Sequence, residues 1–215
     1  MSQLELLRFV AGLLGKLGVP WMIVGSHASS FYGEASSTHD IDLVVDLDAS
    51  KIPALIAAVP TDRFYLSEQA LREGRMANLI DTITGDKVDL FLVAGDESIG
   101  AELSRRQPAK VLGIDAYIAS VEDTVVAKLR WHRQLGGSER QIRDVRGILA
   151  NQRSRINFDV LHKRIESEKL GRVWNKEIAP WLDENSRFLK NVKSRLLESR
   201  KLVVKPCRFC AGSAV

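Results

Sequence analysis

The sequence predicts an α+β protein: a mixed, mainly antiparallel sheet flanked by helices, followed by a C-terminal helical domain. Three observations carry this expectation. Short apolar runs bounded by Gly, Asp and Ser alternate with helical-period segments as far as residue 119. Residues 76–93 read as a hairpin, with apolar arms MANLIDTI and KVDLFLV around Thr84-Gly85-Asp86. From Ser120 onward the pattern is helical only, and the charge changes sign: residues 1–127 carry a net −8 and residues 128–215 a net +12, within a chain of 215 residues and +4. An acidic half suits divalent cations, and a basic half suits polyphosphate or nucleic acid. With 45% hydrophobic and 27% charged residues the composition is that of a folded chain rather than a disordered one. The expected division is a domain carrying the chemistry over 1–119, a basic helical domain over 120–204 and a loose tail over 205–215.

In chain order, Leu4, Leu7, Leu14 and Leu17 recur at helical spacing over residues 3–17, and Gly18 and Pro20 end that helix. WMIV, Trp21 to Val24, is a short buried strand that runs into Gly25-Ser26 and a helix-compatible HASSFYG. Asp40-Ile41-Asp42-Leu43-Val44-Val45 is the next strand. Ser50 is expected to cap KIPALIAAV, and Ser67 to cap SEQALREGR. Within the hairpin, a two-residue Gly85-Asp86 loop sets Thr82 opposite Asp89 and turns Asp81 and Asp89 to opposite faces. AGDESIGAELSRRQ reads as a helix, and AKVLGI and YIAS as strands. Ser120 with Asp123, and Ser138 with Gln141, have the spacing of capping boxes for two helices joined across Leu135-Gly136-Gly137. The remainder is helical, with Trp174 and Trp181 as core residues and Pro180 marking a break.

The chemistry concentrates in residues 24–45, VGSHASSFYGEASSTHDIDLVV. A strand, a glycine turn and a helix start make an anion cradle, because the free N–H groups of a helix's first turn and its dipole both favour a phosphate. Gly25 lets the phosphate approach the backbone, and Ser26 adds a hydroxyl. Alternation along the following strand sends Asp40 and Asp42 to one face with Cα atoms about 6.6 Å apart. Carboxylates at that spacing, beside a phosphate cradle, can hold a hard cation such as Mg²⁺. A lone D-x-D is often only a solvated strand face; it is the order turn, helix, D-x-D that gives the pattern weight.

At these residues the chain resembles the DNA polymerase beta-like nucleotidyltransferase superfamily, whose pattern is Gly-Ser, a short spacer and Asp-x-Asp on a strand. The resemblance spans roughly residues 20–150 and, within the superfamily, is nearest to AbiEii-type and related small bacterial enzymes, several of them toxins of toxin–antitoxin pairs. It implies the nucleotidyltransferase fold and transfer of NMP from an NTP by two-metal, in-line displacement of pyrophosphate. The cofactor implied is Mg²⁺, with Mn²⁺ a substitute. Asp40, Asp42 and a third carboxylate on a later strand, Asp89, would be the metal ligands. Gly25, Ser26 and Lys128 would bind the nucleotide, and Asp144 would serve as partner of Lys128 or as an acceptor-activating acid. The structural alternatives are a solvated helix charge for Lys128 and an ordinary ion-pairing residue for Asp144, which lies between Arg143 and Arg146. His132 shares a helix face with Lys128 and Trp131 but reads as a surface or packing residue.

The basic half, with Arg153, Arg155, Lys163, Arg164, Lys190, Lys193 and Arg195, points to an RNA acceptor such as a tRNA 3′ end, and a protein antitoxin is the expected partner of a toxin. Alternatives are an antibiotic or protein hydroxyl as acceptor, or a nucleotide-binding module without turnover. No basic leader and no apolar run near the roughly 20 residues of a membrane span is present, so the expected compartment is cytoplasmic. Cys207 and Cys210 form a single C-x-x-C without further zinc ligands at a suitable spacing.

Overall fold

The computed structural model describes residues 1–185. By its contacts the chain falls into a compact unit, Met1–Gly171, and a second that begins at Arg172. The change of character at residue 120 therefore lies inside the first unit. The helical pattern carrying Lys190, Lys193 and Arg195, and the tail with Cys207 and Cys210, lie outside the described residues.

The first helix, α1 (Gln3–Lys16), opens on a reciprocal cap: Ser2 Oγ accepts the Glu5 N–H at 3.3 Å, and the Glu5 carboxylate accepts the Ser2 N–H at 2.7 Å. Then follow β1 (Trp21–Ile23), α2 (Gly25–Tyr32), β2 (Asp40–Val45), α3 (Ile52–Ala58), β3 (Phe64–Leu66), α4 (Glu68–Glu73), β4 (Met76–Asp81), β5 (Lys87–Leu92), α5 (Glu97–Ser104), β6 (Gln107–Val111) and β7 (Ile114–Ile118). Three longer helices complete the unit: α6 (Val121–Gln134), α7 (Glu139–Gln152) and α8 (Phe158–Ser167). The seven strands form one sheet in the order β3-β4-β5-β2-β1-β7-β6. β2 with β5 and β1 with β7 are parallel, and the other four pairings are antiparallel. This is the mixed, mainly antiparallel α+β architecture expected.

Strand alternation separates two chemistries. Ile23, Ile41, Leu43, Val45, Val88, Leu90 and Leu92 enter the main core with Leu6, Leu7, Val10 and Leu14 of α1 and Ile52 and Leu55 of α3. Residues of the opposite parity, Met22 and Val44, join a smaller cluster with Leu103 of α5 and Ala119. That second face, read along β2 and β5, begins polar at Asp40 and Asp42 and ends apolar at Val44 and Phe91.

Several local expectations shift. Asn78, not Thr82, lies opposite Asp89. The displacement is four residues, so Asp81 and Asp89 still face opposite ways. The loop is longer because the Asp81 carboxylate accepts the Ile83 N–H at 3.0 Å and the Asp81 carbonyl accepts the Gly85 N–H at 2.8 Å, which ends the ladder early. Asp81 itself is fully buried and paired with Arg63 at 2.8 Å. Asp48, rather than Ser50, caps the turn leading to α3 by accepting the Ser50 N–H at 2.7 Å. AKVLGI splits at Leu112-Gly113, whose φ values of 51° and 79° make the turn between β6 and β7. Ser67 and Ser120 cap α4 and α6 as expected. Ser138 makes no side-chain cap; its N–H is instead donated to His132 Nδ1 at 3.0 Å, which gives that histidine its packing role. In the second unit the helix passes through Pro180 to residue 185, because a π turn at Trp174–Ile178 precedes it. Among the described residues no helix is long and apolar enough to cross a membrane.

Candidate active site

β1 delivers the chain to Gly25, where α2 begins at once. Gly25 has φ +62°, and a Cβ placed there would run into the Asp42 carboxylate. Glycine is required on both counts, conformation and space. The start of α2 and the middle of β2 are thus in direct contact, with Gly25 packed against the Asp42 side chain. Gly25→Ala should cost at least about 1–2 kcal/mol in denaturant-induced unfolding, since it adds a left-handed β-carbon and displaces Asp42.

The parallel pairing of β2 with β5 sets Asp42 directly beside Asp89 and Asp40 beside Lys87, so all four polar side chains share the second face. Asp89 is buried; it accepts from Asn78 Nδ2 at 2.6 Å and from Lys87 Nζ at 2.8 Å. The same ammonium lies 3.4 Å from Asp40 Oδ2. Asp42 is the perturbed member: burial first, then the neighbouring charges of Asp89 and Asp40, push its carboxyl up to about 6, against the opposing pull of the Ser26 N–H and Lys128. Among the described residues no group of three or more His, Cys, Asp or Glu is disposed as a closed metal cage. Asp42 and Asp89, with Asp40 one step away, are nonetheless an all-oxygen set suited to a hard divalent cation, and the mutual repulsion that raises Asp42 is what such an ion would relieve.

The two later motif residues meet on facing helices. Lys128 of α6 and Asp144 of α7 pair at 2.7 Å with side chains only 5% and 7% exposed. Lys128 is therefore no solvated helix charge. Ser29 Oγ stands 3.4 Å from Asp144 Oδ2, and Arg140 Nη2 reaches Ser26 Oγ at 3.4 Å, which ties α7 to the first turns of α2. Gly33 allows this approach: a Cβ there would sit 3.0 Å from the Ile148 nitrogen of α7.

Two cavities flank this centre. The larger, about 830 Å³, is lined by Gly25, Ser26, Asp42, Lys128, Trp131 and Gln141 among others; the smaller, about 500 Å³, lies between residues 34–37 and Arg140, Arg143 and Asp144. Asp40 and Asp89 are not among the lining residues of either. One wall of the larger cavity holds an ion network that local sequence patterns do not reveal. Glu102 accepts from both Arg130 and Arg164 at 2.8 Å, and Asp123 accepts from Arg105 at 2.9 Å. Arg164, counted above with the phosphate-compatible cations, is thus engaged within the fold. The Gly-Ser and D-x-D pattern does not mark Lys87 or Asn78; the alternation Lys-x-Asp is the sequence signal for the first, whereas Asn78 depends on the hairpin register.

The chain is similar to an antigenic nucleotidyltransferase-like protein from Paracoccidioides brasiliensis, with a TM-score of 0.56 at 17% identity over 84% of this chain and 90% of that one. The fold is that of the nucleotidyltransferases. A second similar structure is ANT(2")-Ia in complex with adenylyl-2"-tobramycin, with a TM-score of 0.53 at 14% identity over 79% of this chain and 99% of that one. No protein-family model and no curated protein sequence matches the chain. Within the nucleotidyltransferase fold of this chain, Gly25, Ser26, Asp40, Asp42 and Asp89 all fall at one end of the central strands.

Proposed function

We propose that this protein transfers a nucleoside monophosphate from an NTP to an acceptor hydroxyl, with loss of pyrophosphate. The observation that carries the reading is the side-by-side placement of Asp42 and Asp89 on parallel strands, with Gly25 at the start of α2 packed against the Asp42 carboxylate. Asp40, Asp42 and Asp89 would hold Mg²⁺ or Mn²⁺. The bound metal supplies charge neutralisation for the phosphates and acidifies the acceptor hydroxyl. The chain's own contribution is positioning: the first turn of α2 and the Ser26 hydroxyl receive phosphate oxygens, and Lys128, steadied by Asp144, adds a fixed positive charge beside them. Asp144, held in that ion pair, acts as the partner of Lys128 rather than as a base.

The acceptor favoured is RNA, a tRNA 3′ end in particular, and a toxin role of the AbiEii type would follow. What supports it is the net +12 of residues 128–215 together with the exposed Arg140 and Arg143 beside the smaller cavity, Arg153 and Arg155 in the turn after α7 and Lys163 on α8. A second reading, a small-molecule hydroxyl, is supported by the likeness to the structure holding adenylyl-2"-tobramycin.

Purified protein with Mg²⁺ and each α-labelled NTP should label RNA from a total RNA pool, and Asp40→Ala and Asp89→Ala should each lower the signal by at least about a hundredfold while the fold is retained. A label that appears on an aminoglycoside-type alcohol or on protein would move the acceptor to the other classes. No label on RNA, protein or small molecule would remove the transferase reading.

A further inference from the structure

One end of the larger cavity takes no part in the chemistry proposed for the carboxylates. The helices α6 and α7 run antiparallel, tied at one place by Lys128 and Asp144 and nearer their connection by His132 Nδ1 and the Ser138 N–H. Trp131 and Gln141 fall between these two ties, and both line the cavity that also holds Gly25 and Ser26. Trp131 is 46% exposed, an unusual state for an indole, and Leu135, one turn further along the same wall, is 57% exposed. Gln141 Oε1 is buried and has no hydrogen-bond partner among the described residues. A carbonyl oxygen withdrawn from water in this way carries a desolvation cost, which a turn of the amide toward a ligand's donor in the cavity would remove. An exposed aromatic face and an unanswered acceptor on the lining of the cavity that also holds the Gly25-Ser26 turn have the chemistry of a nucleobase seat.

We infer that Trp131 and Gln141 hold the base of the nucleotide and that the base selected is adenine. This rests on the transferase reading for the identity of the ligand as an NTP. The indole offers a stacking platform to any base and the widest overlap to a purine. The amide supplies the choice. Adenine presents an amine donor next to a ring-nitrogen acceptor, which together answer Oε1 and Nε2 of a glutamine; the corresponding edge of guanine presents two acceptors and leaves Oε1 unanswered. A cavity of about 830 Å³ is within the usual range for a ligand of nucleotide size.

Calorimetric titration of the full chain, with Mg²⁺, against a non-hydrolysable ATP analogue, its GTP, CTP and UTP counterparts and inorganic tripolyphosphate tests the inference. The ATP analogue should bind tightest. Trp131→Ala should weaken it about ten- to a hundredfold and leave tripolyphosphate binding unchanged. Gln141→Leu should bring ATP and GTP analogues to within about twofold of each other. Equal ATP-analogue binding by wild type and Trp131→Ala, or wild-type binding of tripolyphosphate as tight as of the ATP analogue, overturns the base seat. Base-independent binding with NMP transfer intact overturns this inference alone, whereas wild type that binds neither the analogues nor tripolyphosphate overturns the transferase reading with it.

Discussion

Lys128→Met should destabilise the protein by about 3–5 kcal/mol, and adding Asp144→Leu to it should recover most of that loss. The two side chains are 5% and 7% exposed and 2.7 Å apart. Removing the ammonium leaves a largely buried carboxylate with the Ser29 hydroxyl, at 3.4 Å, as its remaining side-chain hydrogen bond. The cost arises from that uncompensated charge rather than from the value of the pair itself, so deleting both charges together is far milder. Equilibrium unfolding in urea of the two single variants and the double variant measures the coupling. Both Lys128 variants should also lose affinity for tripolyphosphate, whereas Asp144→Asn should retain part of it, because Lys128 then still faces the cavity. A loss below about 1 kcal/mol for Lys128→Met would mean that the pair is solvated in solution, and would return Lys128 to the class of ordinary surface charges.

The second large effect is a gain. Asp42→Asn should stabilise the metal-free protein by about 2–3 kcal/mol at pH 7 and abolish NMP transfer. Burial and the Asp89 charge raise the Asp42 carboxyl from 3.8 to about 6 in the folded chain. The folded state therefore binds a proton more tightly than the unfolded state. Its contribution is fully present below the unfolded value near 4 and is lost as pH rises through about 6. Wild type and Asp42→Asn should accordingly be close in stability at pH 4 and diverge by pH 7, with the variant ahead. An amide keeps an acceptor oxygen for the Ser26 N–H while removing the repulsion. Thermal shift at pH 7 provides a second reading: Mg²⁺ or Mn²⁺ should raise the melting temperature of wild type and leave that of Asp42→Asn nearly unchanged. A variant less stable than wild type at pH 7 would show that Lys128 and the start of α2 already compensate Asp42 fully.

Both predictions concern residues that the amino-acid sequence singles out, yet neither magnitude is legible there. Helical spacing put Lys128 on one face with Trp131 and His132 but could not say which of the three turns inward. The structure buries the lysine, exposes the indole and uses the imidazole to accept a backbone N–H. The D-x-D spacing guaranteed that Asp40 and Asp42 share a face. That Asp42 would carry the perturbed carboxyl follows from its register partner Asp89, a consequence of how two strands far apart in sequence align.

What the sequence alone determined was a set of features with a local cause. Strand alternation set the shared face of Asp40 and Asp42, the Gly25-Ser26 turn set the start of α2, capping serines set the starts of α4 and α6, and the run of strands and helices set the α+β class. These depend on neighbours within a few residues, where sterics, period and cap chemistry dominate. Tertiary structure decided the rest. It placed Asp89 beside Asp42, put Lys87 between Asp89 and Asp40, sank the Lys128–Asp144 pair, and set Trp131 and Gln141 on the wall of the cavity that begins at Gly25. Not every local feature was legible: the hairpin pairs Asn78 rather than Thr82 with Asp89, because the Asp81 carboxylate competes for the backbone N–H groups of its own turn. Charge and burial depend on distance through space, and a chain fixes such distances only once it has folded.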